Sequence, residues 1–216
     1  MDSDLRKNKL HIPFIIAMIV SLIAIVSFIL PYISSTEEYR EYLESQGDKY
    51  ASDSVDMTYR DMKDISLFEY AKTYFQGGKE ILHDETTGIF YGVLISSVGV
   101  VSILVLLAVL RKKPILTFIL NVLLGGVCYL VNWDFVDRGI LPSNNYFWGI
   151  SYYMLYACIA VIAFCAIWMF VAKRKVKKES RIEYNRVRNL KKARQSHWES
   201  CRMSLCTTPT RRKPNG

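Results

Sequence analysis

The chain has 216 residues, half of them apolar or aromatic, and a formal net charge of +8. A soluble chain of this length would disperse its apolar residues through one or two domains. Here they gather into four runs, 12–30, 89–110, 115–131 and 150–172, none containing Asp, Glu, Lys or Arg, which excludes an ordinary soluble fold.

An uncharged run of about 17 or more residues matches a hydrocarbon core of ~30 Å at ~1.5 Å per residue. Unpaired backbone is not tolerated in lipid, so such runs must be helices. Barrel strands would alternate polar and apolar residues, and these runs do not. The expected fold class is therefore an all-α membrane protein with four transmembrane helices. One acidic outer segment with short helices joins spans 1 and 2.

Charge sets the expected orientation. Residues 1–11 carry a net +1, Arg111–Lys112–Lys113 a net +3, and the tail from Lys173 has 15 basic and 3 acidic residues. Residues 34–87 hold 13 acids and 6 bases, and residues 132–149 carry a net −1. Surplus positive charge thus falls on alternate sides of successive spans, which predicts both termini in the cytoplasm. The corresponding boundaries are a cytoplasmic lead 1–11, span 1 at 12–33, the acidic outer segment 34–87 and span 2 at 88–110. A cytoplasmic turn at 111–114 leads to span 3 at 115–132, an outer loop 133–148, span 4 at 149–172 and the basic tail 173–216.

The first run has 19 residues and Pro13 near its start, where a helix accepts proline. It exceeds the 7–15 residues of a signal-peptide core and reads as an uncleaved span. Residues 34–87 then read as two short helices with a polar link. The first covers 36–46, with Glu37, Glu38, Glu41 and Glu44, and stops at Gly47. Residues 48–61 are polar with little periodicity. Ser66-Leu67-Phe68-Glu69 matches a capping box, with Ile65 and Tyr70 placed for a hydrophobic staple. This second helix is expected to end at Gly77-Gly78, a glycine stop. Phe68, Ala71 and Phe75 share a face, so it should lie on the membrane surface or on the tops of the spans.

Span 2 carries Gly92, Ser96 and Gly99 at offsets 0, 4 and 7, a small-residue face suited to close helix approach. Span 3 holds Asn121, with Gly125, Cys128 and Asn132 on the same helical face. An amide in hydrocarbon needs a partner, so this face should point into the bundle, as an interhelical bond or a contact for substrate or partner. Trp133, Phe135, Tyr146, Phe147 and Trp148 form an aromatic belt in the second outer loop, and Asp134 with Arg138 reads as a local ion pair. Cys158 and Cys165 share a face of span 4 but are too far apart for a disulfide. The tail is expected to continue helically for several turns and to become disordered from Gln195.

Arg111, Lys112, Lys113, Lys173, Arg174, Lys175, Lys177 and Lys178 are placed to meet anionic headgroups on the cytoplasmic side. That adjacency favours lipid, and nucleic acid is not expected. Cys201, Cys206 and His197 are too few for a zinc site, and no metal, cofactor or catalytic set is expected. The outer loops lack cysteine and the chain lacks an Asn-x-Ser/Thr sequon, which favours a bacterial cytoplasmic membrane over a glycosylated animal cell surface.

Three functions are open on the sequence. The first is a non-catalytic scaffold, accessory or envelope-associated component acting through residues 34–87, with a membrane-protein partner or further copies of itself. The second is a transporter or permeation subunit using Asn121. The third is a membrane enzyme with His83, Asp134 or Asp137 as acid/base groups. The layout is similar to that of claudin-type tetraspans in topology alone. The Trp-Gly-Leu-Trp element and paired cysteines of that family's first loop are absent, since 34–87 holds neither Trp nor Cys.

Overall fold

The structure is a computed structural model. It describes the backbone of residues 2–52, 55–82 and 84–206, and the side chains of 11–50, 56–79, 84–192 and 194. Two compact units divide the chain, Met1–Phe170 and Val171–Gly216.

The first unit is mostly helical. Its order is α1 (Asp2–Ser27), β1 (Pro31–Ser35), α2 (Glu37–Gln46), β2 (Tyr50–Ser52), β3 (Val55–Thr58), a 3-10 turn at Asp61–Lys63, β4 (Asp64–Ser66), α3 (Leu67–Leu82), α4 (Glu85–Leu110), α5 (Pro114–Asp137), β5 (Tyr146–Trp148) and the start of α6 (Ile150–Cys206). Three helices, Glu85–Leu110, Pro114–Asp137 and Ile150–Lys192, are long and apolar enough to cross a membrane, and His11–Ser27 is a shorter apolar helix. α4 is the central helix: α3, α5 and α1 all pack on it. Ile95, Val98, Val105, Leu124, Leu155 and Ile162 are fully buried and belong to one apolar core cluster.

Two local signals in the outer segment match the structure closely. α2 ends at Gly47, whose φ of 65° is the left-handed conformation glycine takes without strain. At the start of α3, the Glu69 amide donates to Ser66 Oγ at 3.2 Å and the Ser66 amide donates to Glu69 Oε2 at 2.8 Å, a reciprocal capping box. Ser66→Ala should lower the melting temperature by an amount equivalent to about 1 kcal/mol, and Ser66→Thr should restore most of it.

Elsewhere the expected all-α description gives way. Residues 34–87 contain strands as well as helices. β1 is the middle strand of a three-stranded antiparallel sheet, ordered β4-β1-β5, and β2 with β3 forms a separate hairpin. β1 pairs Ile33 with Ile65 of β4 and with Trp148 of β5. The described part of the polar stretch 48–61 thus holds the paired strands β2 and β3 and the start of the 3-10 turn. Its residues alternate too briefly to show a period, and pairing across the hairpin selects the strand conformation.

α3 also runs past Gly77-Gly78 to Leu82. Those glycines are a crossing point: a Cβ on Gly78 would lie 2.7 Å from the Gly88 Cα, and one on Gly88 would lie 2.5 Å from the Gly78 Cα. The close approach of α4 keeps Gly78 helical. α5 likewise extends beyond residue 132 to Asp137, so the connection to α6 is shorter than expected and contains β5. The Leu141–Pro142 peptide within it is cis.

α4 begins on a capped turn. The Asp84 carboxylate accepts the Thr87 hydroxyl, the Thr87 amide at 3.1 Å and the Thr86 amide at 3.2 Å. These bonds, the Thr87 hydroxyl first, hold its carboxyl below the usual carboxylate range. A folded value below the unfolded one means the cap stabilises fully above the ordinary carboxylate range, near pH ~4, and fades as pH falls through the folded value. Melting curves between about pH 7 and about pH 3 should show a shallower acid limb for Asp84→Asn than for the wild type.

In the second unit the helix continues to Cys206, so the disorder expected from Gln195 is not found over 195–206; residues 207–216 lie outside the described residues. The basic side chains Lys173, Arg174, Lys175, Lys177 and Lys178 are exposed.

Candidate functional site

The polar and aromatic groups of the first unit converge where β1 meets the C-terminal end of α5 and the N-terminal end of α6. Tyr32 of β1 is the hub and is 1% exposed. Its ring stands edge-on to Phe135 at 6.2 Å, Trp148 at 6.0 Å and Tyr152 at 5.8 Å between centroids. Its hydroxyl donates to Asn132 Oδ1 at 2.6 Å, and Asn132 Nδ2 donates to the Tyr156 hydroxyl. Four elements, β1, α5, β5 and α6, are therefore joined through one side chain. The Ser151 hydroxyl adds a bond from α6 to the Ser27 carbonyl at the end of α1. Gly149 is needed beside this hub, because a Cβ there would lie 2.5 Å from the Pro31 carbonyl oxygen.

A second node lies at the end of α5. Arg138 Nε donates to Asp134 Oδ1 at 2.8 Å, and the guanidinium sits 3.8 Å from the Tyr91 ring centroid and 5.8 Å from that of Tyr74. The pair spans the last helical turn and cap rather than a free loop. Burial pushes the Tyr74 phenol up to about 12 against the opposing pull of Arg138, and pushes Tyr70 well above the usual range. Both phenols are neutral at physiological pH, so this node carries one cation and one carboxylate in an aromatic box.

A third group of contacts joins α2, the 3-10 turn, β4 and β5. The Tyr146 hydroxyl donates to the Met62 carbonyl at 3.1 Å, and Tyr146 meets Tyr39 at 5.3 Å. Arg40 forks onto both oxygens of Asp64 at 3.0 and 2.9 Å, and Lys63 meets Glu44 at 2.6 Å. Glu37, Glu38 and Glu41 of α2 are exposed and have no ion-pair partner among the described residues.

The residues singled out from the sequence are divided among several places. Asn121 and Cys128 are buried, and Gly125 and Asn132 are half-buried, all toward the bundle interior. Asn121 Nδ2 donates to the Ile159 carbonyl at 2.9 Å, while its buried Oδ1 has no partner. Gly92 and Gly99 do not receive a helix backbone. Gly92 seats the Phe75 ring, 2.9 Å from where a Cβ would be, and Gly99 seats the Phe28 ring at 3.2 Å; Ser96 between them is half-buried. Lys112, in a left-handed turn of φ 52°, places its ammonium 5.1 Å from the Phe14 ring centroid. His83 lies outside the described residues. Among the described residues no group of three or more His, Cys, Asp or Glu is placed to hold a metal ion.

No family model, no curated protein and no solved structure matches this chain.

Tyr32, Tyr74, Tyr91 and Tyr156 were not singled out from the sequence. Their signal was the clustering of tyrosine at the outer ends of the apolar runs, which reads as an interfacial belt and does not show which rings turn inward. Chemically, the arrangement is a hydrogen-bonded aromatic cluster joined through β1 to the segment that carries the acidic, tyrosine-containing α2.

Proposed function

We propose that this is a four-span protein of the cell membrane, with both ends in the cytoplasm, and that it acts as a non-catalytic scaffold, accessory or envelope-associated component through its outer segment, residues 34–87. Three long apolar helices support the membrane reading. α1 joins them as a span on length: His11–Ser27 followed by Phe28, Ile29 and Leu30 gives 20 residues, about 30 Å of helix-equivalent rise. The alternation of charge sets the orientation, and the absence of sequons and outer-loop cysteines favours a bacterial cytoplasmic membrane. The exposed bases of the turn and tail are assigned to anionic headgroups.

The observation that carries the scaffold reading is the β1–β5 pairing. It ties the two outer loops into one body, although Ile33 and its partner Trp148 are 115 residues apart in sequence. Such a body holds the acidic face of α2 in fixed orientation, as a docking surface for a basic partner requires. The test is extraction in native-lipid discs with native mass spectrometry. A protein at fixed stoichiometry, lost from the Glu37→Gln/Glu38→Gln/Glu41→Gln variant, is the expected result. Unchanged association in that variant would reject the reading.

The unpaired Asn121 Oδ1 favours a second reading, permeation. An interior acceptor left open is where a hydrogen-bonding solute would bind. Asn121→Leu should then abolish flux. On the scaffold reading the same change is benign to the fold, within about 1 kcal/mol, because it removes an unsatisfied acceptor together with one bond.

A further inference from the structure

The geometry points to α3 as a helix seated in the outer lipid leaflet, with Phe68 and Phe75 as its two anchors. This rests on the reading of α1 and α4 as spans, and it goes beyond that reading in placing part of the outer unit inside the membrane.

Both ends of the exposed face of α3 are fixed to the outer ends of those helices. The Phe68 amide donates to the Phe28 carbonyl at 3.2 Å, just past the end of α1, and the two rings meet edge-on at 6.3 Å. Phe75 covers Gly92, the fourth residue of the uncharged run that begins at Ile89. Counting up from Leu110, next to the basic turn, a core of ~30 Å ends about 20 residues higher, near Tyr91. The Phe75 ring is therefore level with the outer boundary of the hydrocarbon.

Phe68 and Phe75 nevertheless remain 54% and 48% exposed. The stretches next to their contacts Phe28 and Gly92 are apolar too: Ile29, Ile89, Phe90 and Val93 are all exposed. Water would meet a broad apolar patch here, whereas lipid would meet a continuation of the span surface. The helix pattern fits lipid as well. Phe68, Lys72, Phe75 and Lys79 recur at offsets 0, 4, 7 and 11 and share one face, while Leu67, Ala71, Tyr74 and Gly78 turn inward and are buried. Two rings alternating with two long basic stems is the composition of an interfacial helix; the Lys72 ammonium is held by Asp56 at 2.9 Å, and the exposed Lys79 is the one placed to run along the apolar surface and reach the headgroups. Glu69, Thr73 and Gln76 take the flank away from this face.

Spin-label accessibility on the full chain in phosphatidylcholine discs tests the placement. Cys201→Ser and Cys206→Ser leave Cys128, Cys158 and Cys165, which are buried. Single labels go at Phe75→Cys and, in case that change disturbs the Gly92 contact, separately at Phe68→Cys. Ile103→Cys on the exposed face of α4 and Glu38→Cys on α2 are the references. Collision with oxygen should exceed collision with a water-soluble nickel complex at positions 75, 68 and 103, and the ratio should invert at 38. A water-like ratio at 75 and 68 with a lipid-like ratio at 103 overturns the proposal and leaves the spans standing. A water-like ratio at 103 overturns the membrane reading itself. Protection from both reagents at 75 and 68 would mean a protein covers the face, and also overturns it.

Discussion

Gly88→Ala is expected to destabilise the protein by about 3 kcal/mol, the upper part of the range for overpacking. Gly88→Leu should prevent recovery of folded protein. The added Cβ would lie 2.5 Å from the Gly78 Cα and 3.0 Å from the Tyr74 carbonyl oxygen. Both are backbone atoms, so no rotamer change can relieve the contact, and the two helices must separate. Separation has consequences beyond the crossing. α3 begins directly from β4, β4 pairs with β1, and β1 pairs with β5. Forcing α3 away from α4 therefore pulls on the strand that carries the Tyr32 hub. Gly92→Ala should be milder, about 1 kcal/mol, because its Cβ meets a Phe75 ring that is half exposed and can move outward. Gly126→Ala meets nothing within 4 Å and should be neutral or slightly stabilising. Thermal unfolding of the four proteins in one detergent reads the series directly. Gly88→Ala melting with the wild type would show that the crossing is not as close as described.

The same glycines show where sequence reading stops. Gly47 and Gly77-Gly78 look alike locally, each closing a run of helix-forming residues. Gly47 closes its helix in a left-handed conformation, and no neighbouring element packs on it: a Cβ there would meet no atom within 4 Å. Gly78 stays helical because Gly88 lies against it. That partner is ten residues on, across a turn, and nothing in the local pattern announces the contact. The capping box at Ser66 and Glu69 was legible for the opposite reason: all of its bonds close within three residues. The long apolar runs were legible because lipid imposes a composition over about 20 residues, which no neighbouring element can override. β1 was hidden at the end of the first such run. Five residues are too few to show a period of two, and its partners β4 and β5 lie roughly 30 and 115 residues away.

The candidate site divides along the same line. Asn121 drew attention because an amide is rare in hydrocarbon, and rarity can be read from one position. Its role is a single bond to Ile159 with an oxygen left open. Asn132, noted only as the last member of the same face, carries more of the architecture, since it links Tyr32 to Tyr156. The difference arises at β1. Until the chain turns back at Pro31, no residue near Tyr32 in sequence indicates that its hydroxyl will reach α5.

The Asp134–Arg138 pair is expected to behave as a coupled unit in a double-mutant cycle. Its side chains are 8% and 21% exposed, so each single truncation strands a charge away from water. The two losses should be unequal. Arg138→Ala leaves a carboxylate nearly buried among Tyr70, Tyr74 and Tyr91, and should cost about 3 kcal/mol. Asp134→Ala leaves a guanidinium that is more exposed and still lies over the Tyr91 ring at 3.8 Å, and should cost about 2 kcal/mol. The double variant removes both charges, so neither is stranded. It should lose less than the sum, with a coupling of about 2 kcal/mol measured by unfolding in a single detergent. Purely additive losses would mean that the pair is solvated like a surface bridge, worth at most about 1 kcal/mol. The aromatic box would then be a packing feature with no electrostatic part in holding α5 to α3 and α4. Strong coupling would instead identify the charge pair as the lock that fixes the C-terminal end of α5, from which the chain leaves for β5 and the sheet beside α2.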